Sequence, residues 1–216
     1  DLYGRPSLAR LLRELAGVEG IDWIRVMYTY PSLIDDELIE VFAGEDRIVK
    51  YLDIPMQHGS DNVLKMMNRR SSREQMIGVC RRLRERVPGL VIRTSLIAGF
   101  PGETDDDFEE LLSFIDIVRP ERAGVFEFSA EEGTRAYDMP GQVPREVATD
   151  RRGVAMEALA RISRQFGQSR IGGVVRVLVD GPSDESDLVV EARSYAEAPE
   201  VDGKIYIGDA CLTPGE

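Results

Sequence analysis

Apolar residues recur along this chain with two periods that take turns. Leu8, Leu11, Leu12 and Leu15 repeat at helical spacing and predict a helix over residues 6–15, after a loop at 1–5. Ile24, Val26 and Tyr28 alternate and predict a strand over 21–30, which Tyr30-Pro31-Ser32 breaks. A short helix over 34–42 follows, then a strand over 51–55 that Pro55 stops. Residues 56–60 read as a loop and 61–67 as a helical turn or two. The polar run 69–72 is expected on the surface. Met76, Val79, Cys80, Leu83 and Val87 mark the inner face of a helix over 73–86.

The stretch Leu90-Val-Ile-Arg-Thr-Ser-Leu-Ile-Ala-Gly-Phe-Pro-Gly-Glu-Thr104 organises what surrounds it. Its first nine residues predict a buried strand, rich in β-branched side chains. Gly99-Phe-Pro-Gly102 then forces a tight turn, and Gly99 allows a close backbone approach. Thr104 caps the next helix, over 105–118, with Asp105, Asp106 and Asp107 in its first turn, where the helix dipole favours acid. Alternation over 122–128 predicts another strand, and 129–143 a long loop of the kind that often carries function. Pro144 opens a long helix that Gly167, Gly172 and Gly173 close. Strand and helix alternating at short spacing is the signature of parallel βα units. Four such strands are too few for a closed barrel of the usual eight. From Val174 on the texture changes to three short strands, over 174–179, 188–192 and 204–207, with a turn at 181–186. Three strands are marginal alone, so this unit should lean on the α/β body.

Composition narrows the reading. The 216 residues carry a net charge of −12, which argues against a general nucleic-acid surface and suits a basic protein partner. From residue 174 on, ten acids against three bases leave seven of those negative charges in the tail. Two cysteines far apart, Cys80 and Cys211, are no disulfide framework and make the cytoplasm the default compartment. No apolar run approaches a membrane span, so no membrane partner is expected.

The predicted strands deliver Tyr28, Tyr30, Gln57, His58, Arg93, Thr94, Ser95, Gly99, Phe128 and Ser129 to one edge, the edge where α/β folds bind ligands. The acids after Gly102 disfavour a phosphate there; bare glycine backbone suits a flat or cationic molecule. His58, the single histidine, is a proton carrier, a hydrogen-bonding contact or a surface residue, and has no Cys or His partner at metal-ligand spacing. Arg93 needs a carboxylate, from a ligand or within the fold. Gln57 with Ser60 either meets ribose hydroxyls or caps the next helix. Glu131-Glu132 reads as solvated, and no nucleophile, base and acid stand together.

Three segments carry a resemblance: Leu52-Asp-Ile-Pro-Met-Gln-His-Gly-Ser60, Arg93-Thr-Ser-Leu-Ile-Ala-Gly-Phe-Pro-Gly-Glu-Thr104 and Phe128-Ser-Ala-Glu-Glu-Gly-Thr134. Together they resemble the radical S-adenosylmethionine methylthiotransferases, and Ala196-Glu-Ala-Pro-Glu-Val-Asp-Gly203 resembles the branch that modifies ribosomal protein S12. The resemblance implies an α/β fold: a partial (βα) TIM-like barrel of the radical SAM type over 1–170, then a small, truncated antiparallel TRAM-like domain over 171–216. It implies methylthio transfer to the β-carbon of an aspartate, with S-adenosylmethionine and two [4Fe–4S] clusters in the intact enzyme. Ile97 and Gly99 would then face the adenosyl group, Arg93 and Gln57 the polar ends of the cofactor, and Phe126 and Phe128 the adenine, with His58, Ser95 and Ser129 nearby. The family's CxxxCxxC loop is absent, and two isolated cysteines cannot ligate a cluster. The chain is therefore expected to begin after the second barrel strand, to bind no cluster and to be inactive by itself. The acidic tail favours a basic ribosomal protein over tRNA. A tRNA-modifying relative and a non-catalytic binding module are the alternatives.

Overall fold

The computed structural model describes residues 4, 7–208 and 212–215. The beginning of the first predicted helix, and Asp209, Cys211 and Glu216, lie outside them. Helix α1 (Leu8–Ala16) leads into β1 (Ile24–Val26), a single 3-10 turn (Pro31–Leu33) and α2 (Asp36–Gly44). Then come β2 (Ile48–Asp53), α3 (Asp61–Met66), α4 (Arg73–Arg86), β3 (Val91–Ala98), α5 (Asp105–Val118), β4 (Arg122–Glu127) and the long α6 (Arg145–Ser169). The strands lie in the order β1-β2-β3-β4, each parallel to its neighbour, as successive βα units place them. An antiparallel sheet of β5 (Val177–Pro182), β6 (Val190–Ser194) and β7 (Ile205–Ile207) follows.

Side chains alternate across the parallel sheet. Val26, Ile48, Leu52, Ile92, Leu96, Ala98 and Val125 join the helices in the main core. The opposite face carries Arg25, Val49, Tyr51, Asp53, Val91, Arg93, Ser95, Ile97, Arg122 and Phe126. Its register sets Asp53 beside Arg93, Arg93 beside Arg122 and Ile97 beside Phe126. The amino-terminal half of this face is floored by the tail: Ala196 and Ala198 pack on Val49, Tyr51 and Val91. Arg25 donates to the carbonyls of Tyr195 and Glu197, both at 2.8 Å. The Glu197 carboxylate receives Arg122 at 2.7 Å and Arg170 at 2.8 Å, and Tyr51 donates its phenol to Asp202 at 2.7 Å. The first three residues of the segment that resembled the S12 branch, Ala196 to Ala198, are thus buried against the body, while Pro199, Glu200 and Val201 are exposed.

Several boundaries differ from those read in the sequence. The first strand is Ile24–Val26 alone, because Tyr28 turns left-handed at φ 58°. The second begins at Ile48, ahead of Lys50, whose charged head folds back to the carbonyl of Glu45 at 3.1 Å. Gly167 does not end α6; the helix runs on to Ser169. In the tail, Val174 is fully exposed, and pairing with β6 starts at Val177. Gly181-Pro182, expected in a turn, belongs to β5, where a bulge between Val179 and Gly181 absorbs the glycine at φ 148°.

Candidate functional site

The turn after β3 is held by its own glutamate. Glu103 Oε2 accepts the N–H groups of Gly99 at 2.9 Å and Phe100 at 3.3 Å, and Oε1 accepts Arg151 of α6 at 2.7 Å. Burial would raise the Glu103 pKa, but His58 and Arg151 hold it below the ordinary carboxylate value. Gly99 sits at φ 81°, and a Cβ there would stand 2.4 Å from that of Ala148. The close approach that this glycine permits is therefore to α6.

The acids behind the turn are also committed. Asp107 closes a capping box with Thr104 and accepts bonds from Ser60 at 2.5 Å and Asn62 at 3.0 Å. Burial works against its charge, yet the bonds from Ser60, Thr104 and Asn62 draw its pKa down to about 2. Asp105 pairs with Arg151 at 2.6 Å. His58 is wholly buried: the Ser60 N–H donates to Nδ1 at 3.0 Å, which puts the ring's proton on Nε2, 3.4 Å from Glu103 Oε2. Arg93 is bound to the fully buried Asp53 at 2.9 Å. The fold itself thus supplies the carboxylate that Arg93 required.

Above that pair the inner face opens. Gln57 extends the sheet past β2, donating its N–H to Ser95 O at 3.0 Å and accepting from Ile97 N at 2.8 Å. Its backbone is left-handed, φ 72°. Gln57, Ile97, Phe100, Met66, Met139, Arg69 and Arg135 are among the walls of a cavity of about 450 Å³. No carboxylate lines it, although the chain is strongly acidic. Arg69 bonds the Pro55 carbonyl at 2.5 Å, and its guanidinium lies 4.7 Å from the centre of the Tyr30 ring. Neither partner neutralises its charge, and its remaining N–H groups are free to take a planar anion. The sequence reading puts residues 69–72 on the surface, yet Ser71 is buried and Arg69 half-buried; an arginine pair just past a short helix carries no signal without the loop that folds beneath it.

Phe126, in register with Ile97, is 57% exposed on the same face. Phe128 meets Phe100 edge-to-face at 5.0 Å and, with Gly99 and Ser129, borders a second cavity of about 430 Å³. The Ser129 hydroxyl donates to Glu131 at 3.1 Å. The structure brings Gln57 and Ile97 into one cavity, sets Phe126 beside Ile97 on the same face, groups Gly99, Phe128 and Ser129 at a second cavity, and encloses His58 in the core.

A metal cluster finds no ligand set among the described residues, where no three His, Cys, Asp or Glu side chains converge. Cys80 is buried in the core, and burial pushes its thiol up to about 12, far from the thiolate that iron or zinc needs. Among the described residues no helix is long and apolar enough to cross a membrane.

Comparisons with known proteins agree with this architecture. Residues 2–115 match the radical SAM superfamily, and residues 171–216 match the TRAM domain. Over 217 residues the chain is 48% identical to the ribosomal protein uS12 methylthiotransferase RimO of Pelotomaculum thermopropionicum, covering 100% of this chain and 49% of that protein. The Myxococcus xanthus protein of the same name is 47% identical over 216 residues, covering 100% of this chain and 45% of its own length. The chain thus spans about half the length of these relatives. Among solved structures, coproporphyrinogen III oxidase HemN of Escherichia coli, a radical SAM enzyme, superposes with a TM-score of 0.56 at 20% identity, covering 72% of this chain and 36% of that one.

Proposed function

The chain belongs to the radical SAM superfamily, and from that premise we propose that it is part of an enzyme that transfers a methylthio group to the β-carbon of an aspartate in ribosomal protein S12. The observation that carries this reading is the cavity at the carboxyl edge of β2 and β3, where apolar walls from Ile97, Phe100, Met66 and Met139 meet the polar groups of Gln57 and Arg69. It fits S-adenosylmethionine. Arg69, steadied by Tyr30 and Pro55, takes the amino-acid carboxylate. Ile97 and Phe126 give the adenosyl group an apolar wall, and the Gln57 amide reaches its hydroxyls. Arg93 acts beneath them, fixing Asp53 and through it the end of β1. When bound and reductively cleaved, S-adenosylmethionine supplies the carbon radical that opens an unactivated C–H bond.

The iron–sulfur clusters of that chemistry do not fit the described residues, and in this reading their ligands come from the part of the relatives' length that this chain does not span. By itself the chain then binds no cluster. We divide it at residue 170 into a partial barrel and a TRAM-like domain, and take the whole to work in the cytoplasm. The second domain suits a basic partner: Asp184, Asp187 and Glu200 are exposed, whereas Glu197 and Asp202 serve the interface with the body. Its net −7 disfavours tRNA.

The test is binding by the full-length protein. Wild type should take up S-adenosylmethionine, and substituting Ile97 by Trp should fill the cavity and abolish uptake. The protein should retain S12 over bulk tRNA across a salt series; preference for tRNA would overturn the choice of substrate.

A further inference from the structure

Tyr28 is turned and held for no packing reason. It ends β1 with φ 58°, a conformation strained for a bulky side chain, yet its ring is 78% exposed. What holds it is elaborate. The Tyr28 N–H donates to Asp53 Oδ2 at 3.1 Å. The next residue, Thr29, donates both its N–H, at 2.9 Å, and its hydroxyl, at 2.6 Å, to the Asp53 carbonyl. Asp53 is fully buried, and its other carboxylate oxygen is fixed by Arg93 at 2.9 Å. Three strands thus cooperate to maintain a strained backbone under an aromatic ring that gains little burial from it. Gln57, left-handed at the end of the neighbouring strand, lines the cavity. Strain kept at two neighbouring strand ends is the mark of side chains set for a ligand.

We propose that Tyr28 is a substrate-positioning contact whose phenol O–H donates a hydrogen bond to the side-chain carboxylate of the residue being modified. The proposal rests on the functional reading above. A carboxylate entering a chain of net charge −12 needs dedicated donors. At this edge Arg93 is spent on Asp53, and Arg69 and Arg135 line the cavity assigned to the cofactor. The Tyr28 hydroxyl has no hydrogen-bond partner among the described residues.

The experiment uses the full-length protein and two peptides spanning the modified loop of S12, one with the target aspartate and one with asparagine in its place. Calorimetry in the presence of S-adenosylhomocysteine measures affinity without turnover. Wild type should prefer the aspartate peptide by about tenfold, and Tyr28→Phe, which keeps ring and backbone, should bring that preference near unity with an unchanged melting temperature. In turnover, Tyr28→Phe should raise KM for the peptide and leave S-adenosylmethionine binding intact. A variant that keeps the full aspartate preference overturns the role of Tyr28 and leaves the functional reading standing. A wild-type protein that binds neither peptide overturns both.

Discussion

The two ends of the parallel strands are built on opposite rules. At the amino end the charged groups find partners within the fold: Glu197 sits between Arg122 and Arg170, Arg25 is satisfied by carbonyls, and Tyr51 and Asp202 share a proton bond. Apolar surface is covered there by Ala196 and Ala198. At the carboxyl end, a few residues along the same strands, Arg69 and Arg135 line a cavity without a counter-charge, and three non-glycine residues, Tyr28, Gln57 and Asn68, hold left-handed backbone. The floor spends its polar groups on itself, whereas at the rim Arg69 and Arg135 line a cavity that we propose takes a ligand. This is the division between stability and chemistry expected of βα barrels, achieved here with four strands and a borrowed floor.

Substitutions can test that division. The largest effect should come from the floor. Glu197→Ala strands two part-buried guanidinium groups and should cost about 3–5 kcal/mol in urea unfolding, an effect that a surface ion pair such as Arg10–Glu14 would not approach. Next is Gly99→Ala, which forces a side chain into left-handed backbone and against Ala148; about 2–3 kcal/mol of stability should be lost, with a partly displaced α6 visible in hydrogen exchange. Asp107→Ala should cost about 1–2 kcal/mol by removing the carboxylate that accepts the Thr104 N–H in the α5 capping box and the partner of Ser60. The Asp107 pKa is drawn down to about 2 in the folded state, from about 3.9 in an unfolded chain. Its contribution is therefore complete above about pH 4 and disappears as pH falls toward 2. An acid titration should be shallower in Asp107→Asn than in wild type; identical acid limbs would remove Asp107 from the explanation.

Much of this was legible in the residues. Alternating apolar positions located the four parallel strands, and Gly99-Phe-Pro-Gly-Glu103 marked the turn with its capped helix. The site was only partly so. Ile97 and Phe126 are adjacent because the β3–β4 register aligns them, which a strand pattern foretells, whereas Gln57, read as loop, reaches Ile97 by backbone bonds past the end of β2. Glu103 and Arg69 escaped notice because their roles depend on partners far along the chain, Arg151 and Tyr30. His58 attracted attention by its rarity, and its environment is a buried carboxylate within the fold. The tail strands slipped by a few residues because Val174 and Val175 have strand-like side chains without a strand to pair with, while a glycine bulge lengthens β5 where a turn was expected.

The central claim is that the rim, and not the floor, takes up the cofactor. Equilibrium binding of S-adenosylmethionine to full-length wild type, Arg69→Met and Glu197→Gln, at a temperature where all three are folded, tests it most directly. Arg69→Met should weaken binding at least tenfold through loss of a charge-assisted contact, and Glu197→Gln should stay within about twofold of wild type. Undiminished binding by Arg69→Met, or an equal loss in Glu197→Gln, would contradict it.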